Sequence, residues 1–406
     1  MRAGLYLLSL SLGIAFSVHT DCCKPQNEEK AARSLADAPL DSCQYKLLDI
    51  AFNAASAMPV NPHIKNRSRA QEAVVTACFE LEQPQLALRY IEKIGNWRRG
   101  AGYADLAFYC AKRGFTNEAE SYLNLALRDS ETTEEFRKDR IKGKIAKTHA
   151  YMGQIETAAK FERGIEASES GKAAQAEAMI CPTDSFDDKI KILGKLALSE
   201  NFDVVRNALG AYTELYNRFY TNIERRKLIE KNMKTSWIRM PVFIRIDLLT
   251  KMADFSLAHS DQVKALELVN ETKTIMDSAK WKPRFRIPLM ARLAELRFRA
   301  GAKEQAQKEI KNALKLFEAK RSLIVNIYRA QMLRSIAKAY HTMGDIAVAL
   351  DIYKRAVEAG VENPNSRPRA EDLTATCCSM ALHEVKPDPE LLKRIQEIRD
   401  GLGDPW

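Results

Sequence analysis

Three sets of residues in this chain have the types and spacing to act together, and the chemistry they offer is the binding of an anion. Arg140, Lys144, Lys147 and Tyr151 recur at helical intervals, as do Arg292, Glu295, Phe298 and Arg299, and again Arg334, Lys338 and His341. At i, i+3, i+4 and i+7, the members of each set share one helix face. Cations interleaved with aromatic rings suit an acidic peptide segment or a polyanion, although an ordinary solvated face has the same pattern. Catalytic constellations are missing. The chain contains no Walker loop, dinucleotide fingerprint, H-E-x-x-H or nucleophile elbow. Its six histidines are scattered, none at metal-ligand spacing from another His or Cys, and His149 and His341 read as helix residues just ahead of turn glycines. Glu134-Glu135 and Asp187-Asp188 precede helices, where carboxylates complement the positive end of the dipole. The sequence therefore points to no catalytic residue, no metal, no cofactor and no small-molecule substrate.

The elements that must position these sets repeat. A basic residue stands 20 positions ahead of an alanine six times: Arg67/Ala87, Arg99/Ala119, Lys138/Ala158, Arg245/Ala265, Arg286/Ala306 and Arg329/Ala349. Five positions before each alanine lies a turn residue: Glu82, Gly114, Gly153, Ser260, Gly301 or Gly344. A fixed internal offset of this kind marks an array of stacked hairpins. Apolar positions at i, i+3, i+4 and i+7 predict helix pairs over 68–82 with 85–95, 100–113 with 117–129, and 139–152 with 155–168. Later pairs are 246–259 with 262–279, 287–300 with 303–319, and 330–343 with 346–359. A helix starting at Asp41 and interrupted by Pro59 and Pro62 precedes them. The stretch 169–245 is irregular: a loop with a short helix from Ser168 to Pro182, a degenerate hairpin (Asp187–Ser199, Phe202–Tyr220), then one long helix or a broken one cut by Pro241. Arg369–His383 and Pro389–Arg399 make a last pair over 369–400, whose charged second helix suits a cap closing the array. The recurrent basic residue reads either as a ladder of charge along one edge or as a structural partner for acidic groups ending the preceding hairpin.

Composition agrees with a packed helical chain: 406 residues, 46% hydrophobic, 29% charged, with only 17 glycines and 14 prolines. The net charge of +10 favours acidic or polyanionic partners. Arg2, the apolar run Leu5 to Val18 and the small-x-small set Ala15-Phe16-Ser17 read as an export signal over 1–17, cleaved after Ser17, with a flexible leader over 18–40. An uncleaved membrane anchor or a misassigned start is the alternative. The run is short for a span, so the mature chain is expected to have none and to be periplasmic or secreted. Of eight cysteines, Cys78, Cys110 and Cys378 fall in the inner third of predicted helices and read as core thiols, and the vicinal pairs Cys22-Cys23 and Cys377-Cys378 lack metal or redox spacing.

The clearest unit has Leu333, Ile336, Ala337, Tyr340, Gly344, Ala349, Tyr353 and Ala356; a second has Tyr103, Leu106, Ala107, Cys110, Gly114, Ala119, Leu123 and Ala126. In these positions the chain resembles the tetratricopeptide repeat. The 287–316 unit departs from the pattern with Arg297 at the aromatic position, and successive alanines lie 32, 39, 41 and 43 residues apart, mostly longer than a strict repeat. The resemblance implies an all-α fold, a right-handed α-solenoid of stacked antiparallel hairpins spanning 41–406. It also implies that the first helix of each pair lines an open concave groove, which places Arg140, Lys144, Lys147, Tyr151, Arg292, Phe298, Arg299, Arg334, Lys338 and His341 there. The expected function is a non-catalytic, exported protein-interaction scaffold for a partner protein or acidic peptide segment. The alternative is a polyanion-binding protein, for nucleic acid or anionic envelope material. An enzyme with a site grafted into 169–245 ranks third.

Overall fold

The computed structural model describes residues 35–163 and 186–406. The signal expected at 1–17, the leader up to Ser34, Cys22, Cys23, Cys181 and the loop expected from Ser168 to Pro182 lie outside the described residues.

The described residues form eighteen α-helices and no strand. They are α1 (Ser42–Ala57), α2 (Val60–Glu80), α3 (Pro84–Ile91), α4 (Arg98–Lys112), α5 (Thr116–Glu131), α6 (Glu135–Tyr151) and α7 (Ile155–Arg163). After the break come α8 (Phe186–Leu196), α9 (Phe202–Arg218), α10 (Ile223–Ser236), α11 (Val242–Ala258), α12 (Gln262–Asp277), α13 (Pro283–Arg299) and α14 (Lys303–Lys320). The last four are α15 (Arg329–Thr342), α16 (Ile346–Val361), α17 (Ser366–Leu382) and α18 (Pro389–Asp400). Side chains start many of them: Asp41 and Gln44 form a reciprocal cap on α1, Asn201 caps α9, Asp261 caps α12, and prolines open α3, α13 and α18.

The sequence repeat becomes geometry at the turns. Glu82, Gly114, Gly153, Ser260, Gly301 and Gly344 all have positive φ, between 57° and 91°. Glu384, with φ of 54°, adds a seventh turn. At each, the N–H of the following residue bonds the carbonyl five positions back, as from Asp345 to Tyr340 at 3.0 Å and from Asp261 to Ser256 at 2.8 Å. This terminates the first helix with its free carbonyls satisfied and sends the chain back antiparallel. At Gly344 a Cβ would meet no atom within 4 Å, so Gly344→Ala isolates the backbone term. We expect it to lower stability by about 1 kcal/mol in urea denaturation, the left-handed penalty for an L-residue less the entropy Ala removes from the unfolded chain. Ser260→Gly, read in the same assay, should change stability in the opposite direction.

The six repeat alanines are buried where the paired helices cross, none more than 3% exposed. First helices stack on first helices: α2 on α4, α4 on α6, α9 on α11, α11 on α13, and α13 on α15. They form an inner layer, and their mates form an outer one. Within the described part of the irregular stretch, 186–245, lie α8, α9, α10 and a 3-10 turn at Trp237–Arg239 before Pro241. Within it α9 stands beside α11 as α11 stands beside α13, with Tyr216 Oη 3.2 Å from Ser256 Oγ and Tyr220 Oη donating to Asp261 at 2.8 Å. Cys78, Cys110 and Cys378 are core residues, as expected, and burial pushes the Cys110 and Cys378 thiols up to about 12.

The ends of the array depart from expectation. The hairpin expected to cap it over 369–400 does not form as such, because the antiparallel mate of α17 is α1. Gln44 Nε2 donates to the Ala381 carbonyl at 2.8 Å, Thr374 Oγ1 to that of Ala51 at 3.1 Å, and Asn66 of α2 to Glu371 at 2.6 Å. One hydrophobic core accordingly runs through residues from both ends of the chain. The reason is apolar area: α1 buries Leu47, Leu48, Ala51, Phe52 and Ala55, whereas α18 buries only Leu391, Ile395 and Ile398. The helices nearest the two ends of the chain are thus neighbours within one array.

Candidate functional site

Two of the three sequence-derived sets come together, and the remaining set lies in another sector. On α6, Arg140 is exposed, with its guanidinium 5.9 Å from the Trp97 ring. Lys144 pairs with Asp105 of α4. Lys147 lies 4.6 Å over the Phe108 ring, which also meets Tyr151 edge-on at 5.3 Å. Helix α4 contributes its own cations to the same rings: Arg98 over Trp97 at 4.8 Å and Lys112 over Phe108 at 5.2 Å. Stacked parallel, α4 and α6 thus present a strip running from Trp97 to Tyr151, with two aromatic platforms each approached by two cations. Such contacts hold a cation in place for about 0.5–1 kcal/mol each while leaving its charge intact.

The α13 and α15 sets form a different kind of site. Arg292 pairs with Asp254 of α11 and, at 2.9 Å, with Glu295; Arg299 reaches Asp254 at 2.7 Å. Lys338 of α15 reaches Glu295 at 3.4 Å. Arg334 turns the other way, to Asp372 of α17 at 2.9 Å and Thr376 Oγ1 at 3.2 Å. Phe298 packs against the core. Burial lowers the pKa of His341, partly offset by Glu384. Burial alone would push the Glu295 carboxyl up, but Arg292, then Lys338 and Arg299, outweigh it and hold the group at about 2.

The expectation of a basic groove is therefore corrected for Lys144, Arg292, Arg299, Arg334 and Lys338. Each faces a carboxylate of a neighbouring inner helix and is neutralised by it. The pairing is regular: Arg98 with Glu72, Lys144 with Asp105, Lys251 with Glu214, Arg292 with Asp254 and Lys338 with Glu295 all join a base to an acid on the preceding inner helix. Arg334 with Asp372 reverses the direction. Sequence reasoning missed Asp105, Glu214, Asp254 and Asp372, and also Trp97 and Phe108. The available signal was the spacing between acid and base, which is close to one repeat length.

Where the ladder reverses, near the joined ends, two buried polar atoms have no hydrogen-bond partner: Glu80 Oε2 and His383 Nε2. Burial pushes the Glu80 carboxyl up to about 8, with Lys338 opposing, and pushes His383 down to about 3. Among the described residues no group of His, Cys, Asp and Glu is arranged to hold a metal ion.

Four of the six recurrent edge residues serve the hairpins. Arg99 forms a two-pronged pair with Asp129 at 2.8 Å, Arg329 meets Glu362, and Arg286 meets Asp277 at 3.1 Å. Arg67 donates to the Met58 carbonyl at 2.8 Å. Asp277 ends the preceding hairpin as expected. Asp129 and Glu362 instead close the hairpin that their arginine opens, because the antiparallel mate brings its far end back beside the start.

No protein-family model matches the sequence, and no curated protein matches it. Among solved structures, the chain aligns with one described as a "Circular tandem repeat protein with novel repeat topology and enhanced subunit contact surfaces", at 12% identity over 89% of this chain and 95% of that one, with a TM-score of 0.23. A likeness of that size carries no argument, so the fold stands on the helices and their packing: this is an all-α array of stacked hairpins.

Proposed function

We propose that this chain is a non-catalytic binding scaffold of the tetratricopeptide kind, exported from the cell, that receives an acidic segment of a partner protein along the α4–α6 face. The single observation supporting this is the strip from Trp97 to Tyr151, where ring faces and cations alternate along two parallel helices. The α13–α15 sector does not share the role: among the described residues none of Arg292, Arg299, Arg334 and Lys338 lies over a ring, whereas Arg140 and Lys147 do. The strongly shifted groups there pair with one another between packed helices, which favours architecture over catalysis.

The reading is tested with an acidic, aromatic-containing peptide library and the full chain. A binder should lose about tenfold or more in affinity with Trp97→Ala or Arg140→Glu, the loss of a stacked cation or its reversal, and should be unaffected by Arg299→Lys. Binding that survives moderate salt supports a peptide ligand. A steep fall with salt on a generic polyanion, equal for all sequences, would support the polyanion reading instead.

A further inference from the structure

We propose that the edge of the array formed by the loops between hairpins, at 237–241, 278–282 and 321–328, docks on an anionic lipid surface. The inner helices run parallel, so every loop from an outer helix to the next inner one emerges at one edge, opposite the seven tight turns. The later loops touch one another: Arg284 lies 4.7 Å over the Tyr328 ring, and Glu362 of the next loop holds both Arg321 and Arg329. This edge exposes aliphatic side chains that the fold does not use. Ile238 is 69% exposed, Leu323 73%, Val325 59% and Ile327 39%.

Charge on the same edge selects the partner. Lys280, Lys282 and Lys320 are exposed and make no ion pair among the described residues. The carboxylates nearby, Asp277, Glu318 and Glu362, are already occupied by Lys273 with Arg286, by Arg355, and by Arg321 with Arg329. Aliphatic groups standing singly at loop tips between lysines do not form a concave seat for a helix or strand. They do fit insertion between headgroups, with lysines against the anionic layer, each worth about fivefold in binding. No helix among the described residues is long and apolar enough to cross a membrane. The proposal uses residues other than those of the α4–α6 strip, and neither depends on the other.

The experiment is co-sedimentation of the full chain with vesicles of phosphatidylcholine, alone or mixed with phosphatidylglycerol. Binding is expected only to the mixed vesicles. Leu323→Ser with Val325→Ser should weaken it by about tenfold, and Lys282→Glu with Lys320→Glu should weaken it more. All four positions are exposed, so unchanged circular dichroism and melting should accompany the loss. No binding to mixed vesicles, equal binding to both, or binding that these variants leave intact while Arg140→Glu abolishes it would each overturn the proposal. So would a protein partner lost by the Leu323 and Val325 variant in the absence of any vesicle binding.

Discussion

Glu295→Gln is expected to cost the protein about 3 kcal/mol at neutral pH. Glu295 is 5% exposed and faces Arg292, Lys338 and, at 4.0 Å, Arg299. Glutamine keeps the shape and removes the charge, leaving Arg292 and Arg299 to share Asp254 and Lys338 without its carboxylate. The magnitude follows from the carboxyl's descent from its ordinary 4.5 to about 2; at roughly 1.4 kcal/mol per pKa unit, this gives about 3 kcal/mol. Its pH signature follows from the sign. A carboxyl depressed in the folded state contributes stability that is present in full above about 4.5 and is lost as pH falls towards 2. Urea denaturation should therefore show the variant and the parent converging between pH 4.5 and 2. A constant gap across that window would mean that the loss comes from packing and not from charge.

The same substitution at Glu80 should act in the opposite direction. Burial raises the Glu80 carboxyl from 4.5 to about 8, and its Oε2 finds no hydrogen-bond partner. A carboxyl raised in the folded state costs nothing below 4.5, where both states are protonated. Between 4.5 and 8 the unfolded chain ionises and folding must take up a proton, so the penalty grows with pH and levels off above 8. Glu80→Gln removes it. The expected gain at pH 7–8 is about 1–2 kcal/mol, discounted because the side chain keeps some contact with water, and it should vanish at pH 4.5. Equal stability of variant and parent at pH 8 would refute this account. One substitution chemistry thus separates two carboxylates in neighbouring sectors: the ion-pair ladder includes Glu295 and leaves out Glu80.

Local features were legible in the sequence, and long-range register was not. Glu82 and Ser260 could be identified as left-handed turn residues without being glycine, because their distance to the following alanine matches that at Gly114 and Gly344. The alanines were legible because only a small side chain fits where two helices cross. The bound state of Arg292 and Lys338 was not. Their partners lie one hairpin away, and a helix-face pattern records which side a cation takes but not what stands opposite it. Trp97 was passed over because it precedes its helix and so belongs to no face. The mate of α17 was hidden for a related reason: Leu47, Leu48 and Ala51 announce a buried surface on α1, but nothing local says that 323 residues separate Ala51 from its hydrogen-bond donor Thr374.

The clasp between α1 and α17 also bears on how such a chain can change over evolutionary time. A linear solenoid grows or shrinks by duplicating or deleting a hairpin, because each unit meets only its neighbours. Here the faces of α17 beside α1 and α2 are already taken, so a hairpin duplicated next to it would have to displace that packing. Growth at the clasp is therefore disfavoured, and variation there falls on loop length and on the side chains lining each face.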